Sequence, residues 1–404
     1  MNASAPIRRL MAAFLAMLVL AAPLAASDAG WESLKSFVVP PAEYVNDFGR
    51  YRSPLQFSDG RPVKNADDWA ARRREILEYW HKVMGPWPAL LERPGLNILR
   101  TESRENFTQH RVRLDIAPGQ TGEGWLLVPE GRGPFPAVLV PFYEPETSIG
   151  LKGLKGKNCD FAYQLARRGF VTLSIGSPGG DARRPEIGGA SCQPLSFLAY
   201  VAANAHTALA QRPEVDPQRI GIVGHSYGGK WAMFASCLYD KFACAAWSDP
   251  GIVFDERDRR QQNPNGSVNY WDVWYLGGPV TDPKNPGGWR KLPSEGEPRT
   301  GAYKVLIEAG HDLVELHALM SPRPFLVSGG TADLPERWPA LNHAIAVNKL
   351  LGFTNRVAMT NRATHEPTPD SNEVIYRFFE HFLGKATPSA PGAKTLRPSQ
   401  PITK

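Results

Sequence analysis

The sequence predicts an α/β fold in which helices cover both faces of a mostly parallel sheet, and two observations lead to that prediction. From about residue 136 onward, short apolar segments alternate with helical segments, an order typical of parallel strands joined by helices. The segment 136–142 is apolar almost throughout, as expected of a strand that is covered on both faces.

A helix and two antiparallel strands are expected ahead of this alternation. Asp67 and Asp68 cap a helix that runs to residue 83, in which apolar side chains recur at helical spacing. Residues 111–116 and 123–128 alternate apolar and polar side chains. Such alternation predicts two half-buried antiparallel strands.

In the alternating part of the chain, strands are predicted from apolar runs and helices from helical spacing between turn residues. The predicted strands are residues 136–142, 170–175, 220–223, 244–248, 324–327 and 356–359. The predicted helices are residues 160–168, 195–211, 230–238, 313–320, 338–351 and 372–383. Residues 250–304 are rich in Pro, Gly and Trp and interrupt the order, so we expect an insertion there.

The N-terminus has the pattern of a secretory signal peptide. Arg8 and Arg9 precede an apolar run over residues 10–26, and small residues follow it. The run is short for a membrane span and contains Pro23. We therefore expect an exported protein, periplasmic or secreted, with no membrane span after cleavage; the Sec and twin-arginine routes both remain open.

Four segments make up the expected domain organisation. Residues 1–27 form the signal peptide and residues 28–95 an N-terminal extension that contains a helix. Residues 96–385 form the α/β domain with the insertion 250–304. Residues 386–404 are rich in Pro, Ser and Lys and are expected to be a disordered tail.

The segment Gly224-His225-Ser226-Tyr227-Gly228 fits the G-x-S-x-G pattern and joins a predicted strand to a predicted helix. This is the pattern of the nucleophile elbow of an α/β-hydrolase, in which a strained turn exposes the serine oxygen. Glycines on either side let strand and helix approach each other closely. The sequence therefore predicts that Ser226 is a catalytic nucleophile.

A serine nucleophile needs a base and an acid, which follow it in the order acid and then histidine in this fold. Asp333 lies in the loop after the predicted strand 324–327, and His365 lies in the loop after strand 356–359. We predict the triad Ser226, Asp333 and His365. Asp249, which ends the strand after the elbow helix, is the alternative acid.

The oxyanion that forms when a serine attacks a carbonyl carbon is bound by two backbone N–H groups in this fold. One belongs to the residue after the nucleophile, here Tyr227. The second comes from the loop after the apolar strand 136–142, which assigns it to Tyr143 or a neighbour.

Composition argues against several other classes of site. The formal net charge of +6 includes Arg8 and Arg9, and no dense basic run suggests a nucleic-acid partner. The spacing of the four cysteines lacks a metal-site pattern, and no phosphate-loop pattern occurs. We expect no cofactor and no metal, while free thiols and disulfides both remain open.

Three segments resemble the secreted acetyl xylan esterase and glucuronoyl esterase type of α/β-hydrolase, above all carbohydrate esterase family 15. They are the elbow with Lys230 after it, the Pro-Arg-Pro turn in residues 317–327, and the aromatic segment 270–275. The resemblance covers about residues 69–383. It departs from the family at His225 and Tyr227, where glucuronoyl esterases have Cys and Arg, and at Asp249, where they often have Glu.

This resemblance implies a serine esterase that removes an acetyl or uronate ester from a plant or algal polysaccharide. It implies that Lys230 contacts a sugar, while Trp271 and Trp274 are candidates for stacking on sugar rings. A serine peptidase of the same fold and a non-catalytic carbohydrate-binding relative are the alternatives. The sequence leaves the particular ester and the oligomeric state open.

Overall fold

The structure is a computed structural model that describes residues 30–152, 158–182, 185–254, 271, 275–277 and 301–384. The predicted signal peptide, the predicted tail 386–404 and most of the predicted insertion lie outside the described residues. Within the described part of the chain, no helix is long and apolar enough to cross a membrane.

Nine strands in the described residues form one sheet. They are β1 (Leu96–Arg104), β2 (Phe107–Ala117), β3 (Gln120–Pro129), β4 (Phe135–Pro141), β5 (Val171–Ile175), β6 (Val215–His225), β7 (Cys244–Ser248), β8 (Phe325–Gly329) and β9 (Val357–Asn361). Their order is β1-β2-β3-β5-β4-β6-β7-β8-β9. The pairs from β1 through β3 to β5 are antiparallel, and all later pairs are parallel.

The helices of the described residues connect and cover these strands. They are α1 (Ala66–Met84), α2 (Pro145–Ser148), α3 (Phe161–Arg167), α4 (Pro194–Ala210), α5 (Tyr227–Leu238), α6 (Gly301–Glu308), α7 (Leu313–Ala318), α8 (Trp338–Leu350) and α9 (Pro369–Leu383). The Asn65 side chain caps α1 by accepting from Asp68 N at 2.9 Å. Gly85, at φ 88°, ends that helix.

The parallel strands β4, β5, β7 and β8 are buried on both faces, and alternate residues of such a strand enter opposite hydrophobic clusters. Leu139 of β4 packs in the cluster that includes α4 and α5. Its neighbours Val138 and Val140 pack in the cluster that includes α3 and α9. The predicted α/β-hydrolase fold, a mostly parallel sheet with helices on both faces, is confirmed.

The chain reverses its direction of travel across the sheet at β4, which pairs with β5 on one side and β6 on the other. In open parallel sheets, ligands bind outside the carboxyl ends of the strands at such a switch point. β6 ends at His225, one residue before Ser226. The topology thus places the predicted nucleophile at this point.

The edge strand β1 is absent from the sequence prediction. All of its residues are exposed or half-exposed, with no buried residue among them. A strand without a buried face needs no alternation of apolar and polar side chains, so the sequence has no period-2 signal there. The four cysteines, for which bridged and free states were both open, are free and buried.

Candidate active site

Ser226 occupies a strained turn between β6 and α5. Its φ of 55° and ψ of −115° lie in a region that non-glycine residues rarely adopt. A Cβ on Gly224 would lie 2.1 Å from Gly228 O, and one on Gly228 would lie 2.3 Å from Pro141 O. Both glycines are therefore required by the close approach of strand and helix, as the elbow pattern predicts.

His365 connects Ser226 to a buried carboxylate. Its Nε2 lies 2.9 Å from Ser226 Oγ, and its Nδ1 lies 2.6 Å from Asp249 Oδ2. The imidazole side chain is 39% exposed, whereas the Asp249 side chain is fully buried. This arrangement lets the imidazole take a proton from the serine while a carboxylate balances the resulting charge.

The prediction of Asp333 as the acid is corrected by this geometry, because the alternative acid, Asp249, holds the place beside His365. Asp249 directly follows β7, the neighbour of β6, so it lies next to the elbow. Asp333 is four residues beyond the end of β8. Its carboxylate accepts hydrogen bonds from Gly251 N at 2.8 Å and Ile252 N at 2.6 Å.

The loop that follows β8 (the β8 loop, from Gly330 to Asp333) holds the Asp249 carboxylate in place through its backbone N–H groups. Its Oδ1 accepts hydrogen bonds from Gly330 N at 2.6 Å, Asp333 N at 2.9 Å and Ala332 N at 3.1 Å. Burial by itself would raise the pKa of Asp249, but the hydrogen bond and charge of His365 and these N–H groups lower it below its ordinary value. Asp249 therefore remains ionised at neutral pH.

The pKa of Asp333 is shifted in the opposite direction, above its ordinary value. Burial, and then the charge of Asp249, raise the pKa of Asp333 to about 6, although the N–H groups of Ile252 and Gly251 and the charge of Arg337 oppose the rise. Asp249, in the loop after β7, thus accepts hydrogen bonds from the loop after β8. Asp333, in the loop after β8, accepts hydrogen bonds from the loop after β7. The pair fixes the two loops relative to each other.

Lys230, the expected sugar contact, is buried on α5. Its ammonium donates to Pro250 O and lies 4.8 Å from the centre of the Trp271 ring. Burial lowers the pKa of Lys230 to about 8, although Asp333 and Asp249 pull it upward. Trp271 is also fully buried, and Trp274 lies outside the described residues. The structure therefore presents neither Lys230 nor Trp271 at the surface.

The lowered pKa of Lys230 predicts a pH-dependent difference in stability between the wild type and Lys230→Met. Between pH 8 and 10.5 the unfolded chain binds the lysine proton more tightly than the folded one, so the wild type loses stability as pH falls through this window. The variant lacks that loss. Its free energy of unfolding relative to wild type should rise by on the order of 1–3 kcal/mol from pH 10.5 to pH 8, measured by urea unfolding.

Lys304→Met is the matched control, because Lys304 is an exposed helix residue. Its free energy of unfolding relative to wild type should stay constant across the same pH range. A constant difference for Lys230→Met as well would contradict the burial of the Lys230 ammonium.

The two residues predicted to bind the oxyanion, Tyr227 and Tyr143, pack against each other. Tyr227 is the first residue of α5, where backbone N–H groups have no partner within the helix. The centre of the Tyr227 ring lies 4.8 Å from the centre of the Tyr143 ring, and Tyr143 belongs to the loop after β4. The Tyr227 hydroxyl accepts a hydrogen bond from Ser177 Oγ at 3.0 Å. The β4 loop therefore borders the residue that follows the nucleophile.

A cavity of about 730 Å³ opens beside Tyr143. Tyr143, Ser177 and Asp181 contribute to its wall at the carboxyl ends of β4 and β5, and residues of β2 and β3 also line it. Its volume is within the range of small-molecule sites. It adjoins the elbow through Tyr143, whose ring packs on Tyr227.

Sequence reasoning missed one polar residue next to the site. Arg362 donates to His365 O at 2.6 Å and to Ser248 Oγ at 3.2 Å. A single arginine in a loop carries no sequence signal of this role, since its partners come from three different strand ends.

Comparison with known proteins finds two sequence relatives, one of which is the putative hydrolase YtaP of Bacillus subtilis, 26% identical over 188 residues, which are 43% of this chain and 61% of that protein. No protein-family profile matches the chain. The 4-O-methyl-glucuronoyl methylesterase of Podospora anserina is 25% identical over 228 residues, which are 52% of this chain and 42% of that protein. The chain thus matches less than half the length of that relative.

Solved structures share the fold over most of this chain. A glucuronoyl esterase from Solibacter usitatus has a TM-score of 0.63 and 18% identity, with 82% of this chain and 97% of that chain covered. A promiscuous CE15 esterase from a marine bacterial metagenome has a TM-score of 0.63 and 15% identity, with 82% and 96% covered. The chain has the α/β-hydrolase fold, and its predicted resemblance to the glucuronoyl esterases of carbohydrate esterase family 15 is confirmed.

Proposed function

We propose that the protein is a serine carboxylic ester hydrolase that removes an ester decoration from a polysaccharide. The observation that carries the proposal is the unbroken hydrogen-bond path from Ser226 through His365 to Asp249. This path begins at a strained elbow, where the serine oxygen is held for attack. The sequence relative named a methylesterase favours an ester over a peptide as the substrate.

In the first half of the reaction, Ser226 Oγ attacks the ester carbonyl carbon while His365 Nε2 takes its proton. Asp249 orients His365 through Nδ1 and balances the positive charge of the imidazolium. The carbonyl oxygen becomes an oxyanion, which the backbone N–H groups of Tyr227 and Tyr143 are proposed to bind. The C–O bond then breaks, and the alcohol leaves with the proton from His365.

In the second half, a water molecule attacks the acyl-enzyme. His365 takes a proton from the water, and the new oxyanion is bound in the same place. The bond to Ser226 Oγ breaks, and His365 returns the proton to the serine. The carboxylic acid is released and the starting state of the triad is restored.

The substrate class follows from the cavity and the relatives together. We propose that the cavity beside Tyr143 takes a sugar or alcohol portion of the ester, because it adjoins the elbow and has the volume of a small-molecule site. Uronate esters are the first candidates, since the relatives are named for them. Acetyl esters are the second.

The direct test is a panel of substrates offered to the purified protein. We expect hydrolysis of methyl or benzyl glucuronate esters or of acetylated xylan, and at least about 100-fold lower kcat/KM for matched peptides. A preference for peptides would replace the esterase proposal with the peptidase alternative. Binding of sugars with no turnover of any ester would favour a non-catalytic relative.

We further propose that the protein is exported, on the strength of its basic and apolar N-terminal segment. A polysaccharide substrate lies outside the cytoplasm, which agrees with export. N-terminal sequencing of the mature protein from culture tests this, and a start near residue 28 is expected.

A further inference from the structure

A second layer of hydrogen-bonded side chains lies beside the triad. Its members each precede a triad residue in the chain by one to three positions; they are His225 before Ser226, Ser248 before Asp249, and Arg362 before His365. His225 and Ser248 are buried, and Arg362 is half-buried.

Arg362 joins the histidine loop to the ends of two strands. Its guanidinium donates to His365 O at 2.6 Å and Glu366 O at 2.9 Å on the loop side. On the sheet side it donates to Ser328 O at 2.7 Å and Ser248 Oγ at 3.2 Å. One planar group with several fixed donors thus ties the backbone of the loop to β7 and β8.

Ser248 and His225 extend this layer to the nucleophile. Ser248 Oγ lies 3.1 Å from His225 Nδ1, and Ser248 O accepts from Ser226 N at 2.8 Å. The ring centres of His225 and His365 are 4.8 Å apart. His225 therefore packs directly against the imidazole that must stay aligned with Ser226.

His225 is neutral in this position. Burial, and then the charges of His365 and Arg362, lower the pKa of His225 to about 3. A neutral ring allows close packing without a like charge opposing the imidazolium that forms on His365 during the reaction.

We propose that Arg362 is a positioning residue that sets His365 for proton transfer by clamping its loop to β7 and β8. The proposal rests on the proposed function of the triad. The His365 side chain is 39% exposed and projects from a loop, so the position of the loop backbone, which Arg362 holds, contributes to the placement of the ring together with the contacts of the ring to Asp249 and Ser226. A displacement of about 1 Å in such a group can cost about 100-fold in rate.

The test compares Arg362→Ala, Arg362→Lys and Ser248→Ala with a matched control, Arg323→Ala. Arg323 also binds backbone carbonyls, at Ser236 O, Phe242 O and Leu319 O, but away from the triad. The measurements are kcat and KM for an ester that the wild type cleaves, the melting temperature, and the rate at which a fluorophosphonate labels Ser226.

We expect kcat of Arg362→Ala to fall about 30–100-fold with KM nearly unchanged. Millimolar guanidinium should restore part of that rate, which a merely destabilised protein would not show. Arg362→Lys should recover little, because one ammonium cannot reach all of the acceptors. Ser248→Ala should lose about 3–10-fold in kcat, and Arg323→Ala should lower the melting temperature while keeping kcat.

The proposal is overturned if Arg362→Ala keeps the wild-type kcat. It is also overturned if kcat falls as much in Arg323→Ala as in Arg362→Ala. If Arg362→Ala does not fold, Ser248→Ala decides, and an unchanged kcat there contradicts the clamp. The fluorophosphonate rates give the same comparison without any ester. A wild type that reacts with the probe but cleaves no ester would therefore count against the substrate proposal alone.

Discussion

Replacing Ser226 with alanine should abolish ester hydrolysis while leaving the protein folded. The alanine removes the oxygen that attacks the carbonyl and keeps the Cβ at the elbow. Loss of the nucleophile in serine hydrolases lowers kcat by about 10⁴-fold or more, with residual rate from the oxyanion site. The check is kcat on the best ester of the panel, beside the melting temperature of both proteins.

Ser226→Gly is a second variant that lacks the same oxygen. Because Ser226 has a positive φ, a glycine at this position relieves the strain of the backbone. This variant should be as inactive as Ser226→Ala and at least as stable. Substantial turnover by either variant would show that another residue is the nucleophile.

Asp249→Asn should reduce kcat by about 10⁴-fold, whereas Asp333→Asn should reduce it by less than about tenfold. The reason is the tautomer of His365. In the Asp249→Asn variant, the amide oxygen would accept from the N–H groups of the β8 loop that now bind Asp249 Oδ1. The amide NH₂ would then face His365 Nδ1, and the proton would move to Nε2, which could no longer accept the serine proton.

Asp333→Asn leaves the contact between His365 and Asp249 in place. Gly251 N and Ile252 N donate to different oxygens of the Asp333 carboxylate, so an asparagine, which has an NH₂ group in place of one oxygen, keeps only one of these two hydrogen bonds in the same geometry. We therefore expect a loss of about 1–3 kcal/mol in the free energy of unfolding with most of the activity kept. The reverse pattern, activity lost in Asp333→Asn and kept in Asp249→Asn, would show that Asp333 is the acid of the triad, as the sequence analysis predicted.

The parallel part of the sheet and the elbow were predictable because their signals are local. A strand buried on both faces, such as β4, is an apolar run in the sequence. The elbow needs small residues within five positions of one another, and Gly224 and Gly228 supply them. The exposed edge strand β1 has no such pattern, since its side chains face solvent.

The acid and the burial of Lys230 depend on contacts between distant segments. Asp249 and Asp333 both follow strands, and only the path of the β8 loop decides which carboxylate meets His365. From the sequence alone, Lys230 could be a solvent-exposed helix residue. In the structure it is buried in contact with Trp271 and Pro250. The spacing of residues along the chain predicts neither the path of the loop after β8 nor the burial of Lys230.

The central claim is that Ser226 is a nucleophile activated by His365 and Asp249, and covalent labelling tests it most directly. The wild type is treated with a fluorophosphonate, digested and analysed by mass spectrometry, in parallel with Ser226→Ala and Asp249→Asn. The claim predicts one adduct, on the peptide that contains Ser226, no adduct in Ser226→Ala and strongly slowed labelling in Asp249→Asn. An adduct on another residue, or labelling of Asp249→Asn at the wild-type rate, would contradict it.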